Sequence, residues 1–136
     1  MPAKLTLKSL RDNKVSVHPS LRTLTQSGTK VVTLATFART PVFMQQSRFR
    51  VYENNDYKCV SCSAAGTHVI LSASGAKRVR ANLIGLSNGQ WTLFTKDHIV
   101  PRARNGSNLQ TNLQTMCQPC NNAKGDRKNV TGKKWT

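Results

Sequence analysis

An aspartate, a histidine and two asparagines in the C-terminal part of the chain have the types and the order that a one-metal site for phosphodiester hydrolysis requires. Asp97 and His98 are adjacent, Asn112 follows them, and Asn121 lies shortly beyond Asn112. Hydrolysis of a phosphodiester needs a base that deprotonates water and a cation that stabilises the developing negative charge. His98 suits the base, because imidazoles are partly neutral near pH 7. These residues therefore predict metal-dependent hydrolysis.

The four cysteines form two Cys-x-x-Cys pairs, Cys59/Cys62 and Cys117/Cys120. Thiolates at this spacing can hold one metal from a tight turn, so two pairs predict a structural, tetrahedral Zn²⁺ site that joins distant parts of the chain. Binding of a structural zinc contributes on the order of 10 kcal/mol to folding. The alternatives are a redox pair, which lacks a surrounding thioredoxin-like βαβ pattern, and a ligand role for His68, which four cysteines make superfluous.

Taken together, these motifs within residues 48–128 resemble the HNH endonucleases, or ββα-metal nucleases, in the subclass with four zinc-binding cysteines. The resemblance rests on four pieces in order: Tyr57-Lys58-Cys59, Asp97-His98-Ile99-Val100-Pro101, Asn112-Leu113-Gln114-Thr115 and Cys117-x-x-Cys120-Asn121-x-x-Lys124-Gly125. The chain looks most like small phage-encoded or homing-type members. Its segment between Cys62 and Asp97 is longer than in minimal members, which indicates an added β-hairpin.

The resemblance implies a role for each residue of the motif. Asp97 and Asn121 would hold the catalytic cation, and such an oxygen pair fits Mg²⁺ or Mn²⁺ better than zinc. Many relatives have histidine at the position of Asn121, and the amide favours Mg²⁺ over softer metals. Asn112 would brace the loop between the two strands and orient His98. Lys124 would neutralise the phosphate.

The charge balance indicates a polyanionic partner. Twenty-one Lys and Arg oppose five Asp and Glu in 136 residues, which gives a formal net charge of +16. Basic side chains neutralise phosphates and release counterions, so DNA is the expected partner. Generic basicity, as in ribosomal proteins, is the alternative. Arg102, Arg104 and Arg127 are candidates for contacts with the DNA backbone because of their charge and position.

The remaining composition predicts a cytoplasmic protein. The N-terminus has no uninterrupted apolar segment of the kind found in signal peptides. No run approaches the length of a membrane span, so no membrane partner is expected. Closely spaced cysteines also favour metal binding in a reducing compartment over a secreted disulfide framework.

Hydrophobic patterns predict the elements that position the motif. The expected order is a helix over residues 43–53, strands over 67–72 and 79–86, a strand from Trp91, a strand over 113–116 and a helix over 121–128. Asn88-Gly89 is a strong hairpin signal. The strand that begins at Trp91 would deliver Asp97 and His98, whose side chains point to opposite faces unless the chain bends.

We therefore expect a small α+β fold with a ββα-metal core, one structural zinc, the added β-hairpin and a β-rich basic N-terminal extension. Residues 1–47 form the extension, 48–130 the HNH nuclease domain and 131–136 a tail. Within the extension, residues 21–25 and 30–37 are predicted strands joined by a turn at 26–29, and the first residues are a basic arm.

The expected function is that of a metal-dependent DNA endonuclease that nicks one strand per active site. A homodimer or a phage protein is the expected further partner. Two alternatives stay open: a zinc-stapled nucleic-acid-binding protein without catalysis, and a phage DNA-packaging accessory nuclease that is active only with its partner. At the residue level, Asp97 could instead pair with a lysine, and Asn112 and Asn121 could be turn and cap residues.

Overall fold

In the computed structural model, which describes residues 7–11, 15–22, 24, 29–74 and 78–125, an antiparallel sheet of five strands runs in the order β1-β2-β3-β4-β5. The strands are β1 (Thr29–Thr33), β2 (Gly66–Ser74), β3 (Arg78–Ser87), β4 (Gln90–His98) and β5 (Leu113–Cys117). The helices are α1 (Leu7–Arg11), α2 (Pro19–Arg22), α3 (Leu34–Ala38), α4 (Pro41–Gln45), α5 (Ser47–Asn54) and α6 (Gln118–Lys124). This α+β architecture agrees with the predicted class.

The hairpin between β3 and β4 follows directly from its turn residues. Asn88 and Gly89 both have positive φ, 52° and 78°, which a two-residue turn of type I′ requires and which these residue types accept. Ser87 then pairs with Gln90, and the register continues to Ile84 and Leu93. The predicted turn and the two strands beside it are confirmed.

Strand β4 changes its partner halfway along its length. It pairs with β3 only from Gln90 to Leu93, and from Phe94 to His98 it pairs with β5. Helix α6 follows β5 without a gap and contacts both β4 and β5. The second half of β4, together with β5 and α6, is therefore the ββα unit that the motif predicts.

Two apolar clusters cover the two faces of the sheet. The first cluster joins helices α3 and α5 to the sheet through buried residues that include Phe37, Phe49, Tyr52, Val69, Leu83, Phe94 and Met116. The second cluster joins α1 and α2 to the other face through Leu10, Leu21, Ile70, Ile84 and Trp91. Helices α1, α2 and α3 all lie within the predicted N-terminal extension, and each of them contributes a buried residue to one of the two clusters. The predicted division into domains stays a prediction.

The predicted β-rich character of the N-terminal extension is wrong. Helix α2, Pro19–Arg22, covers the first two residues of the strand expected over 21–25, and it buries Leu21 in the second cluster. The strand predicted over residues 30–37 ends at Thr33, whose Oγ1 accepts a hydrogen bond from the Thr36 backbone at 3.2 Å and caps α3. The turn expected over residues 26–29 lies largely outside the described residues, as do the arm before Leu7 and the tail.

The helix predicted over residues 43–53 is two helices, α4 and α5, separated at Gln46. Phe43 and Phe49 would point in different directions on one continuous helix. The break lets both rings contact Phe37, with centroid distances of 5.6 Å and 4.8 Å. Packing of aromatic rings therefore overrides the helical composition of this segment. Among the residues that the structure describes, no helix has the length and apolar character needed to cross a membrane.

Candidate active site and metal centre

The four cysteines converge at one point of the structure. Cys59 and Cys62 lie in the turns after α5, Cys117 ends β5 and Cys120 lies in α6. All four sulfur atoms lie within 4.8 Å of one another, and the Sγ atoms of Cys62 and Cys117 are 3.7 Å apart. Ligands about 2.3 Å from one tetrahedral zinc ion are separated by about 3.8 Å. The group can therefore hold zinc, as the spacing of the two pairs predicts.

The sulfur atoms of this group are electrostatically coupled. A hydrogen bond with Cys117 lowers the pKa of the Cys59 thiol, and the same bond raises the pKa of Cys117 because one proton serves both sulfurs. Burial raises the pKa of Cys120. A cation bound among these four sulfurs would deprotonate its thiol ligands.

Backbone hydrogen bonds fix the first cysteine pair against the second. The Val60 N–H donates to the carbonyl of Thr115 on β5 at 3.0 Å, and the Cys59 N–H donates to the Ala64 carbonyl at 2.9 Å. Asp56, Tyr57 and Ser63 adopt positive φ values of 55°, 58° and 65° to make these turns. The turn around Cys59 and Cys62 is thus attached to the strand that carries Cys117, and α6 begins directly after Cys117.

Asp97 is buried at the end of β4 and has two polar partners. Gln114 Nε2 donates to its Oδ2 at 2.9 Å, and Lys124 Nζ lies 3.2 Å from the same oxygen. Lys124 also donates to the His98 carbonyl at 2.9 Å and is only 1% exposed. The alternative that Asp97 pairs with a lysine is therefore what the structure contains. The motif includes Gln114, but the sequence alone does not indicate its role, because only the register of β4 and β5 places it opposite Asp97.

Asn121 lies on α6 and faces β4. Its Nδ2 donates to Thr95 Oγ1 at 2.8 Å, and that hydroxyl in turn donates to the Met116 carbonyl at 3.0 Å. This chain of bonds fixes the orientation of the amide, because Thr95 engages its nitrogen end. The oxygen end of Asn121 is the atom that a cation would bind.

His98 is the last residue of β4 and its ring contacts the loop that follows. Its Nε2 lies 2.8 Å from Asn108 Oδ1. An amide oxygen only accepts hydrogen bonds, so Nε2 carries the proton and Nδ1 is the basic nitrogen. Strand pairing continues through His98, which lies opposite Leu113, and the chain bends only after it. Asn108 was missed by the sequence analysis, because an asparagine in a polar loop carries no distinguishing signal.

Asn112 closes the loop between β4 and β5. Its Oδ1 accepts from the Val100 N–H at 2.9 Å, and its Nδ2 donates to the carbonyls of Val100 at 3.1 Å and Ser107 at 2.8 Å. Gly106 lies so close to the Val100 carbonyl that a Cβ atom there would sit 1.6 Å from its oxygen. Asn112 thus braces the loop, while Asn108 is the residue that contacts His98.

One open cleft of about 300 Å³ brings together four of the five predicted catalytic side chains, all except Asn112. Its polar and charged lining comprises Lys96, Asp97, His98, Arg102, Asn121 and Lys124. Arg102 and Arg104 are exposed in a 3₁₀ turn after Pro101, and of the two only Arg102 lines the cleft. Arg127 lies outside the described residues. Lys96 was not predicted, although its position directly before Asp97 could have indicated it.

Comparison with known proteins identifies one part of the chain. Residues 85–127 match the family model described as HNH endonuclease. No curated protein and no solved structure matches the chain. The matched segment includes β4, β5 and α6, and with them Asp97, His98, Asn112 and Asn121, whereas Cys59 and Cys62 precede it. The resemblance drawn from the sequence motifs is thereby confirmed: residues 85–127 of this chain are an HNH endonuclease segment.

Proposed function

We propose that this protein is a metal-dependent DNA endonuclease that hydrolyses phosphodiester bonds and nicks one strand at each active site. The observation that carries the proposal is the single cleft in which a carboxylate, an imidazole and an oriented carboxamide meet, namely Asp97, His98 and Asn121. Few other reactions use a carboxylate, an imidazole and a carboxamide in one cleft together with a basic surface. A phage-encoded or homing role stays a prediction from the motifs alone.

The donor atoms in the cleft fit a hard divalent cation. Asp97 offers a carboxylate and Asn121 an amide oxygen, and oxygen ligands of this kind suit Mg²⁺ or Mn²⁺. A carboxylate has about four acceptor sites, so the bonds from Gln114 and Lys124 leave Asp97 able to bind a cation as well. When bound, the cation would stabilise the negative charge that develops on the phosphate and the leaving oxygen.

His98 acts as the general base in this proposal. Its Nε2 is engaged by Asn108 at 2.8 Å, so Nδ1 takes the proton from the attacking water. Asn108 fixes both the tautomer and the direction of the ring, and Asn112 holds the loop that carries Asn108. Lys124 serves by fixing the end of β4, since its ammonium group bonds to Asp97 and to the His98 carbonyl.

The basic side chains around the cleft fit the DNA backbone. Lys96, Arg102 and Arg104 are exposed, and Lys96 and Arg102 line the cleft itself. With a formal net charge of +16 on the whole chain, the protein attracts phosphates over a long range at low salt. In this proposal Arg127 contacts the DNA backbone as well, on sequence grounds alone.

Relaxation of supercoiled plasmid by the full chain tests the proposed function. Purified protein is incubated with Mg²⁺, Mn²⁺ or EDTA, beside the variants His98→Ala and His18→Ala. We expect open circles that require the metal, disappear with His98→Ala and persist with His18→Ala, a histidine outside the cleft. Cleavage that survives His98→Ala, or that proceeds equally in EDTA, would refute the assigned chemistry.

One observation favours the alternative of a nucleic-acid-binding protein without catalysis. The Lys124 ammonium group already neutralises Asp97 in the structure, and an ion pair of this kind could replace a metal ion altogether. Electron paramagnetic resonance of Mn²⁺ titrated with the protein distinguishes the two. Bound Mn²⁺ that is lost with Asn121→Ala supports the nuclease, whereas absence of any bound Mn²⁺ from a folded, DNA-binding protein supports the alternative.

A further inference from the structure

The hairpin of β2 and β3 extends beyond its neighbouring strands. Strand β1 pairs with β2 only as far as Ser72, and β4 pairs with β3 only from Ile84 onwards. The end of the hairpin, residues 73–74 and 78–80, is therefore a two-stranded ribbon. Gln46 Nε2 donates to the Val79 carbonyl at 3.3 Å and attaches the ribbon to the start of α5. We call these residues the basic ribbon.

The basic ribbon carries unneutralised positive charge. Arg78 and Arg80 are exposed, as is Val79 between them. Neither arginine has a carboxylate partner among the residues that the structure describes. The chain has only five Asp and Glu against twenty-one Lys and Arg, so few carboxylates are available to pair with them. Two guanidinium groups on one strand of the ribbon suit phosphate oxygens, which they bind through bidentate hydrogen bonds.

The direction of the strands places the ribbon at the same end of the sheet as the cleft. Strand β3 is antiparallel to β4, so its beginning at Arg78 lies towards the end of β4, where His98 lies. The two strands part beyond the pair Ile84–Leu93, so the ribbon and the cleft lie on separate strands at that end of the sheet.

Side-chain alternation places Arg80 on the face of the sheet that bears Asp97, and Arg78, at the start of β3, also lines an open cleft beside Val42 and Gln45 of α4. Arg80 lies opposite Ser72 and shares its face with Ile84, which pairs with Leu93. Leu93 in turn shares a face with Asp97, because alternate residues of a strand point the same way. Lys30 lies opposite Leu71 and therefore points to the other face.

We propose that the basic ribbon is a second contact with duplex DNA, which holds the phosphate backbone beside the scissile bond. The proposal rests on the proposed function in one respect, namely that the DNA lies in the cleft. Hydrogen-bonding hydroxyls on Ser72 and Thr29, which pair with each other across β1 and β2, extend the polar surface on the same face. The ribbon thus widens the footprint of the protein on DNA without contributing to the chemistry.

The test is the salt dependence of binding to a duplex, measured by fluorescence anisotropy without added Mg²⁺ or Mn²⁺ so that no cleavage occurs and the zinc site is not stripped by a chelator. The variant Arg78→Gln/Arg80→Gln is compared with the full-length wild type and with Lys30→Gln/Arg39→Gln, which removes two exposed charges that lie outside the ribbon. Each phosphate contact contributes about 0.9 to the slope of log Kd against log salt, so we expect the ribbon variant to lose about 1.8. The control should keep most of the slope.

If the slope decreased equally in the ribbon variant and in the control variant, the effect would be one of total charge and the proposal would be overturned. An unchanged slope in the ribbon variant would overturn it as well. Failure of the wild type to bind duplex DNA, or binding to RNA alone, would overturn it too. Zinc content and thermal midpoint verify that the ribbon variant is folded. The outcome is independent of catalysis: binding without added Mg²⁺ or Mn²⁺ that shows the expected slopes, but no nicking in Mg²⁺, would refute the nuclease and leave the proposal for the ribbon unaffected.

Discussion

Two adjacent residues at the end of β4 have very different surroundings, and this difference suits them to different tasks. Asp97 is buried and bonded to Gln114 and Lys124, so its position is fixed by the sheet and α6. His98 is only partly buried and contacts the loop through Asn108. A ligand group needs a fixed position, and a base needs access to water, so the alternation of the strand separates the two requirements.

The first prediction is that Asn108 sets the tautomer of His98. Asn108→Ala removes the acceptor for Nε2–H, so the proton redistributes between the two ring nitrogens and the ring loses its fixed direction. We expect kcat to fall by about tenfold or more, with little change in KM, because the interaction concerns the base and not DNA binding. Nitrogen-15 NMR of the imidazole should show a mixture of tautomers in place of one.

The matched control is Thr111→Ala, an exposed residue of the same loop, which should change neither quantity. Asn108→Gln, which retains the acceptor, should recover part of the rate. If the NMR spectrum of Asn108→Ala still shows a single tautomer protonated at Nε2, Asn108 does not set it.

A second residue-scale prediction concerns the buried ion pair. Lys124→Met leaves Asp97 buried without its cation, and removal of one partner from a buried pair costs about 3–5 kcal/mol. The double variant Lys124→Met/Asp97→Asn should be more stable than Lys124→Met, because it removes the unpaired charge. Urea unfolding measures these free energies. Equal stability of the single and double variants would show that the pair is not coupled.

The same variant also reports on the cation without any activity measurement. Mg²⁺ bound at Asp97 would replace part of the lost charge, so it should raise the thermal midpoint of Lys124→Met more than that of the wild type. Calcium, a hard cation with the same oxygen preference, is a suitable second probe. No difference between the two proteins with either ion would argue against Asp97 as a ligand.

At the scale of elements, the four cysteines connect three pieces of the fold. The turns after α5, the end of β5 and the start of α6 meet at the four sulfurs, and α6 carries Asn121. Loss of the metal should therefore displace α6 and weaken the catalytic site indirectly. Cys117→Ser is expected to abolish stoichiometric zinc and to lower the thermal midpoint strongly.

The control for the zinc prediction is Val60→Ala, a change to a half-exposed residue within the turn around Cys59 and Cys62 that keeps all four sulfurs. It should retain one zinc per chain, measured by mass spectrometry of the metal. A Cys117→Ser protein with full zinc content and unchanged melting would show that three other ligands suffice or that the site is elsewhere.

The sequence correctly predicted those elements whose conformation depends on residues close together in the chain. The Asn88-Gly89 turn, the strands on either side of it and the two cysteine pairs each follow from neighbouring residues, and the structure confirms them. The break at Gln46 and the helix Pro19–Arg22 do not follow from neighbouring residues. The break accompanies packing of two rings against Phe37, and the helix packs on the second cluster; both contacts involve residues far away in the sequence. Asn108 and Gln114 were missed for the same reason, since only the loop conformation and the strand register bring them to His98 and Asp97.

At the scale of the whole molecule, the segment before β1 is an integral part of the fold. Leu10 and Leu21 cover Ile70, Ile84 and Trp91 on one face of the sheet, and the Trp91 carbonyl accepts a hydrogen bond from the His18 N–H at 2.9 Å. Without this segment an apolar face next to the cleft would be exposed to water. The predicted boundary between residues 47 and 48 therefore separates regions that share a core.

Leu21→Ala tests whether this segment supports the nuclease fold. Leu21 is 0% exposed, and removal of a buried leucine side chain costs about 2–5 kcal/mol in unfolding free energy. The same change at Leu109, which is 68% exposed, should cost less than about 0.5 kcal/mol. Urea unfolding followed by the fluorescence of Trp91, which contacts the second cluster, measures both. If Leu21→Ala is as stable as Leu109→Ala, the N-terminal segment is a separable extension; if it is destabilised as expected, a nuclease domain confined to residues 48–130 lacks part of its own core.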